Sequence, residues 1–479
     1  MADSCSIFST KDLCSWTGGR LEGASHVSVF SVVIDSRSCS EGCLFVALSG
    51  ERADGHNFIE DVFKSGAVGA VVICEWADSH KELIDNILIT YNEVFFLIVG
   101  DTLKALQQSA AGYLDGVKHP VKIGITGSNG KTTTKEFIAS VLAEKYSVVK
   151  TKGNLNSEIG LALSVFDIRE QHDYAIMEMG INRVGEMDIL ADILKPEIVV
   201  ITNIGSAHIG IFKNIETTAF EKRRSVKYFN KNSFLFLNEN ESFKDFLAEG
   251  LSSEVIYFGE DSIRKLYSDF AYVDLGLKGW MLHFGGLDVE VAIPGKHNLV
   301  NAISACVLGN KIGLSNLQIK QGLESASFVS GRTEIIEAEL TLINDCYNAN
   351  YESFEKIVTF ADSLEWAGRK IYIFGDMKEL GSLSIGIHEK AGEFAVESAA
   401  DLIFFLGADM KLSYETALNK NEALKKKKSI FYFSNYKELE VKVIRLLKEG
   451  DLVLLKASNS MRLDRLVEPV MAKFGSIAC

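Results

Sequence analysis

The chain has 479 residues, 47% apolar and 24% charged, the balance of a folded globular protein and not of a disordered or fibrous one. Its 50 Lys and Arg against 64 Asp and Glu leave a net charge of −14, which argues against nucleic acid as the main partner. One core does not suffice at this length, and three domains are expected.

Eight cysteines stand at 5, 14, 39, 43, 74, 306, 346 and 479; only Cys39 and Cys43 are close, and no histidine cluster completes a zinc pattern. Reduced thiols are expected. No apolar run approaches the roughly 18 residues that span a bilayer. Met1-Ala-Asp-Ser-Cys5 lacks the basic start and apolar stretch of a secretion signal. These features point to a cytoplasmic protein without membrane insertion. The basic run Lys425–Lys428 reads as a solvated helix end or loop.

Along the chain, the first 117 residues read as a smaller mixed unit, with a strand over Cys43–Leu48, a helix near Phe58–Lys64 and a strand at Val71–Ile73. Pro120 marks the first linker. From there Val121–Thr126 reads as a strand and Thr132–Tyr146 as a helix with Phe137, Val141 and Leu142 on one face. Strand Tyr174–Met179, helix 184–194 and strand Ile198–Asn203 follow. Apolar strands without alternation, separated by helices, predict a parallel sheet covered on both faces. Trp280–Phe284 and Leu287–Ile293 flank Gly285-Gly286 and predict a hairpin, an antiparallel annex to the central unit. A helix from about Asn298 to Ile312 completes residues 118–330. A second α/β series fills 331–479, with strands predicted at Glu334–Asn344, Lys370–Phe374, Asp401–Leu406, Ile430–Phe433 and Leu452–Lys456.

The sharpest local signal is Gly124-Ile-Thr-Gly-Ser-Asn-Gly-Lys-Thr-Thr-Thr134. A strand enters a glycine turn, and Lys131 and Thr132 open a helix. Such a turn aims the N–H groups of Gly127, Ser128, Asn129 and Gly130 at an anion, with Thr133 next in line. Lys131 brings a full charge to the outer phosphates, and Thr132 a hydroxyl for magnesium. Ile125 occupies the first-glycine place of the strict Walker pattern. Glu178 closes an apolar strand, where a parallel sheet opens toward its ligand; it reads equally as a magnesium ligand or a solvated strand end. His208 leads out of the strand after Ile201. A lone histidine is more often structural, but three such strand ends together favour a phosphate and metal site.

At this point the residues resemble a family, the Mur ligases, and within it the MurF type. The resemblance runs through Thr126-Gly-Ser-Asn-Gly-Lys-Thr132, Gly153-Asn-Leu-Asn-Ser-Glu-Ile-Gly160, Glu178-Met-Gly180, Ala207-His208 and Pro294-Gly-Lys-His-Asn-Leu-Val-Asn301. It continues through Gly331-Arg332, Asp345-Cys-Tyr-Asn-Ala-Asn350 and Gly375-Asp-Met-Lys-Glu-Leu-Gly381, the last two being MurF-like. The resemblance implies a UDP-substrate domain, a central ATP-binding domain and a C-terminal Rossmann-like domain. It implies ATP and magnesium, with two ions, held by Lys131, Thr132, Glu178 and His208. Lys222 matches a lysine that the family carbamylates, which would make it an anionic metal ligand. Asn298 would contact adenine, and Arg332, Asp345, Tyr347 and Asn348 would close the nucleotide from the third domain. Ser36, Arg37, Asp54 and His56 match the uridine-nucleotide segment, Asn154 and Asn156 the acceptor site, and Asp376 the loop for the incoming dipeptide. Arg224 stands where the family usually has glutamate, Tyr351 where it has proline, and Ala457 where it has glycine.

The implied reaction joins D-alanyl-D-alanine to UDP-N-acetylmuramoyl-tripeptide through an acyl phosphate, in a cytoplasmic monomer of peptidoglycan synthesis. The alternatives are a sibling ligase, a folylpolyglutamate-type ligase, or a nucleotide-binding protein that kept the fold without the chemistry.

Overall fold

The computed structural model describes residues 6–50, 53–425 and 428–475. Cys5, Cys479 and the middle of the Lys425–Lys428 run lie outside the described residues. The six described cysteines are free.

Three main sheets follow one another along the chain. The first has five strands in the order Arg20–Gly23, Phe95–Val99, Gly69–Ile73, Cys43–Val46, Ser31–Val33; only the Arg20–Gly23 edge is antiparallel. Phe95–Val99 is five apolar residues, all buried, because helices cover both faces. On one face lie Ile59, Val62, Phe63, Ile84 and Ile87. The other face shares a core with helices Thr102–Gly116, Glu158–Val165 and Glu186–Leu194, so the first sheet is anchored on the central unit. Asp115 ties this packing at its rim, 2.7 Å from Lys195 Nζ.

The central sheet has six parallel strands in the order Glu254–Phe258, Phe234–Asn238, Ile198–Ile201, Val121–Thr126, Tyr174–Glu178, Val148–Lys150. Three neighbouring strands therefore deliver the loops after Thr126, Glu178 and Ile201 to one edge. Helix Lys131–Ala143 is buried between this sheet and helices Lys296–Ile312 and Asn316–Glu324. The annex is a three-stranded antiparallel sheet, Ala271–Asp274, Trp280–Phe284 and Leu287–Val291. Its turn uses positive φ at Gly285 and Gly286, 57° and 74°, and both N–H groups donate to the Asp269 carboxylate.

The third sheet runs Glu334–Glu337, Thr341–Asp345, Leu452–Lys456, Lys370–Gly375, Leu402–Leu406, Ser429–Phe433. The strand expected over Glu334–Asn344 is in fact two antiparallel strands. Ala338-Glu339-Leu340 holds none of the usual turn residues. The turn is held instead by distant backbone, with Glu339 N donating to Phe474 O and Gly450 N to Glu339 O, at 3.1 and 2.8 Å.

The third unit is docked on the central one. Ile209 lies in the third unit's core with Met377 and Leu380. Gly210 N donates to Glu379 O at 3.1 Å, and a Cβ on Gly210 would lie 2.4 Å from Gly381 N. No helix among the described residues is long and apolar enough to cross a membrane.

Candidate active site

Strand Val121–Thr126 ends at Gly127, where φ is +145° and a Cβ would stand 1.8 Å from Thr202 Oγ1. Gly130, at φ +81°, begins helix Lys131–Ala143 with no side chain capping the first N–H groups. Those donors, at the positive end of the helix dipole, are left for an anion. The loop is braced from behind, and the N–H groups of Ser128 and Asn129, expected to face an anion, are taken up by Asn203 instead, Ser128 N donating to Asn203 O at 2.9 Å. Asn129 N donates to Asn203 Oδ1 at 3.0 Å, while Thr202 Oγ1 and Asn203 Nδ2 donate to Asn129 O at 2.6 and 2.9 Å. Lys131 Nζ donates to Gly127 O at 2.9 Å. Burial lowers the Lys131 pKa; Glu178 opposes the shift and the charge of Arg332 adds to it.

Glu178, buried at the end of its strand, connects the loop to the acceptor segment. Its Oε2 accepts from Thr132 Oγ1 at 2.8 Å and its Oε1 from Asn156 Nδ2 at 2.7 Å. Hydroxyl and carboxylate oxygens around an uncapped helix end suit magnesium and a polyphosphate, so the residues fit the group the family implies. Asn154 is exposed beside them.

His208 and Glu379 both take left-handed φ, 58° and 65°, an uncommon backbone state outside glycine. They meet across the domain boundary with Nδ1 and Oε2 2.5 Å apart, at an angle outside hydrogen-bond geometry. The contact with His208 holds the Glu379 carboxyl below its ordinary range.

Lys222, on helix Ile215–Arg223, is 4% exposed. Among the described residues no hydrogen bond or ion pair reaches its Nζ. Burial pushes its pKa well down and the charge of Lys131 adds to the shift, which favours the neutral amine. Arg224, where the sequence departs from the family, is ion-paired to Asp188 and lies 3.7 Å from Glu221 Oε1.

A cavity of about 710 Å³ opens between the central and third units, within the usual range for a nucleotide-sized ligand. Asn129, Gly130, Thr133, Asn298, Arg332, Asp345, Tyr347 and Asn348 all line it. The Arg332 guanidinium lies 3.8 Å from the Tyr347 ring centre. Asp345 accepts from Thr333 N at 2.9 Å and from Lys456 Nζ at 2.6 Å.

The residues expected for the uridine nucleotide sit elsewhere, at the carboxyl edge of the first sheet. Among the described residues no hydrogen bond joins Ser36, Arg37, Asp54 or His56 to the phosphate-loop group. Arg37 pairs with Asp35 at 2.6 Å on the surface, which takes the Asp35 carboxyl down to about 2. His56 lies beneath that edge rather than on its surface. It is buried, with Nδ1 2.6 Å from Asp54 Oδ1 and Nε2 accepting from Ile73 N at 3.2 Å, so it holds the Asp54 loop in place.

Asp376 is likewise not a free carboxylate. It is 2% exposed; Oδ1 accepts from Met410 N at 2.8 Å, and Oδ2 lies 2.7 Å from Lys378 Nζ. Asp409 Oδ2 takes the same ammonium at 2.9 Å, so the two carboxylates of the Asp376, His388 and Asp409 group already hold a cation, and His388 Nε2 accepts from Met377 N at 3.2 Å. Burial alone would lower the Lys378 pKa; the two carboxylates outweigh it and raise it.

Three functional residues escaped the sequence reading. Thr202 and Asn203 brace the phosphate loop, and the carboxyl-edge rule that singled out Glu178 applies to them too. Lys456 ends a strand beside Asp345, where the same rule would have found it.

Three family models match in chain order: Mur ligase family, catalytic domain, over residues 29–114; Mur ligase middle domain over 125–309; and Mur ligase, glutamate ligase domain over 331–459. The UDP-N-acetylmuramoyl-tripeptide--D-alanyl-D-alanine ligase of Treponema pallidum is 34% identical over 442 residues, 92% of this chain and 94% of that protein. The Bacillus subtilis protein of the same name is 33% identical over 92% of this chain and 93% of its own. A crystal structure of MurF from Acinetobacter baumannii superposes with a TM-score of 0.84 at 28% identity, covering 97% of this chain and 99% of that one. MurF from Thermotoga maritima in complex with ADP gives 0.73 at 26% identity, covering 92% and 97%. With identity of this order along nearly its whole length, and with the three family models matching in chain order, the chain belongs to the Mur ligase family, among its MurF-type members.

Proposed function

We propose that this protein joins D-alanyl-D-alanine to UDP-N-acetylmuramoyl-tripeptide with cleavage of ATP, in peptidoglycan synthesis. The observation that carries the reading is the bridge at Glu178, whose two oxygens bind Thr132 of the phosphate loop and Asn156 of the acceptor segment. One carboxylate thus ties the phosphate to be transferred to the carboxylate that receives it. The peptide carboxylate attacks the γ-phosphorus, giving an acyl phosphate and ADP. The dipeptide amine then attacks the acyl carbon, releasing phosphate and a proton. Lys131 offsets charge gathering on the γ-phosphate oxygens. Arg332, Tyr347, Asn348 and Asp345 hold the nucleotide from the third unit, and Asn298 meets the base. Docking of that unit excludes water from the acyl phosphate.

Magnesium, held by Thr132 and Glu178 at one position and by His208 and a carbamylated Lys222 at a second, would neutralise phosphate charge. A buried, neutral amine without a partner is suited to carbamylation. Its nitrogen attacks carbon dioxide, one N–H proton leaves to solvent, and the anionic carbamate can ligate a hard cation. Ser36, Arg37 and Asp54, with His56 behind them, receive the uridine nucleotide, and Asn154 the peptide. Asp376 acts through Lys378 in shaping the dipeptide loop. The three units correspond to 1–117, 118–330 and 331–479, consistent with three separate sheets. The reading is of a monomer, and its ATP and uridine-linked substrates support a cytoplasmic location.

Phosphate release tests the reading. It should require both UDP-N-acetylmuramoyl-tripeptide and D-alanyl-D-alanine. Release that follows glutamate or a diamino acid instead would assign a sibling reaction. Lys222→Ala should be nearly inactive, and the parent enzyme should lose activity when carbon dioxide and bicarbonate are stripped. A fully active Lys222→Ala would exclude the carbamate.

A further inference from the structure

The third unit docks beside the phosphate loop through polar contacts to which no role has been given. Glu352, in the first turn of helix Tyr351–Ser363, accepts two hydrogen bonds from Ser206, one from N at 2.9 Å and one from Oγ at 2.5 Å. Asn350, the N-cap of the same helix, donates from Nδ2 to Asn129 Oδ1 at 2.9 Å. Asn129 belongs to the phosphate loop itself. Ser206 reaches the loop by one further step, since its neighbour Gly205 donates to Ser128 Oγ at 2.8 Å and accepts from it at 3.0 Å. Two residues at one helix end thus hold two successive residues of the loop.

Gly205 stands between the two partners: a Cβ there would meet Ser128 Cβ at 3.4 Å and Glu352 Oε1 at 3.5 Å, ordinary contact distances. A carboxylate beside a phosphate site is electrostatically unfavourable. Two donors from Ser206 and the positive end of its own helix stabilise it there.

We propose that Glu352 and Asn350 are positioning residues that make docking of the third unit and setting of the phosphate loop a single event. The helix end seats against Ser206 and Asn129, and this fixes the loop that leads into helix Lys131–Ala143, whose uncapped first N–H groups are left for the phosphates. Arg332 and Asp345 then reach the nucleotide when its phosphate site is already formed. The inference rests on the ligase reading for its kinetic readout.

The test uses the full-length protein with Glu352→Ala, Ser206→Ala, the double variant and Glu352→Gln. Each single alanine should lower kcat/KM for ATP roughly tenfold or more, the scale of a lost hydrogen bond to a charged group. The KM for the uridine-linked peptide and the thermal midpoint should hold. The double variant should be no worse than Glu352→Ala, because that variant already removes both bonds from Ser206, of which Ser206→Ala removes only the hydroxyl's. Glu352→Gln keeps an oxygen for Ser206 N–H and should recover most of the loss. Additive losses, or full activity in both single variants, would overturn the proposal. Wild-type release that ignores D-alanyl-D-alanine would refute the ligase reading alone. ADP affinity of the same four variants would then carry the test, with the same non-additive pattern expected and unchanged affinity in both single variants against it.

Discussion

Replacing Gly127 by alanine should disable nucleotide binding while leaving the protein folded. The new Cβ would lie 1.8 Å from Thr202 Oγ1 and 3.1 Å from Thr202 Cβ, at a backbone φ of +145° that side-chain-bearing residues rarely adopt. Thr202 cannot simply rotate away, because its hydroxyl donates to Asn129 O at 2.6 Å and helps hold the loop. Keeping the native loop therefore costs about 1–3 kcal/mol of backbone strain, about 1–3 kcal/mol of overpacking and about 1 kcal/mol of hydrogen bonding. The loop will relieve most of this by shifting. Thermal stability should then fall by less than that sum, while affinity for ATP or ADP falls roughly a hundredfold or more. Calorimetric titration of nucleotide, with a thermal melt as control, measures both. Thr202→Ala in the same chain removes the clashing oxygen and should restore roughly tenfold of the affinity, leaving the φ strain in place. Parent-like nucleotide affinity in Gly127→Ala, or no benefit from Thr202→Ala, would refute the steric argument.

Lys131→Ala should cost roughly a hundredfold or more in turnover with the fold intact; near-parent kcat in a folded variant would remove Lys131 from the chemistry. Burial holds His297 at about 4, against an ordinary 6.5, with Asp345 opposing and Lys356 and Lys456 adding. The unfolded chain therefore binds that proton first, so stability is full above pH 6.5 and is lost as pH falls toward 4, by up to about 3 kcal/mol. His297→Gln should flatten that part of the denaturation profile, and an unchanged slope would count against it. Asp376→Asn should lower the thermal midpoint and raise the KM for D-alanyl-D-alanine together, because it loosens Lys378 and the Met410 N–H. A KM effect without any loss of stability would restore a direct contact with the dipeptide.

The sequence by itself determined the local frame. Strands Val121–Thr126 and Leu452–Lys456, the turn at Gly285-Gly286 and the glycine loop before Lys131 all follow from patterns read over a few residues. Backbone geometry at that range is set by neighbours in the chain, so periodicity and glycine placement suffice. Pairings across the fold are different. Lys456 meets Asp345 across 111 residues, Ser206 meets Glu352 across 146, and Asn350 meets Asn129 across 221. The order of strands in each sheet and the docking of the third unit decide these contacts, and no local window contains them. The same cause explains what the sequence could not say of single residues. His56 and Asp376 stand in segments that resemble ligand loops, yet both are turned inward, one to support Asp54 and the other to hold Lys378 and a helix start. A polar residue in a loop looks alike in sequence whether it faces a ligand or braces the loop from within; burial separates the two, and burial is a property of the packed structure alone.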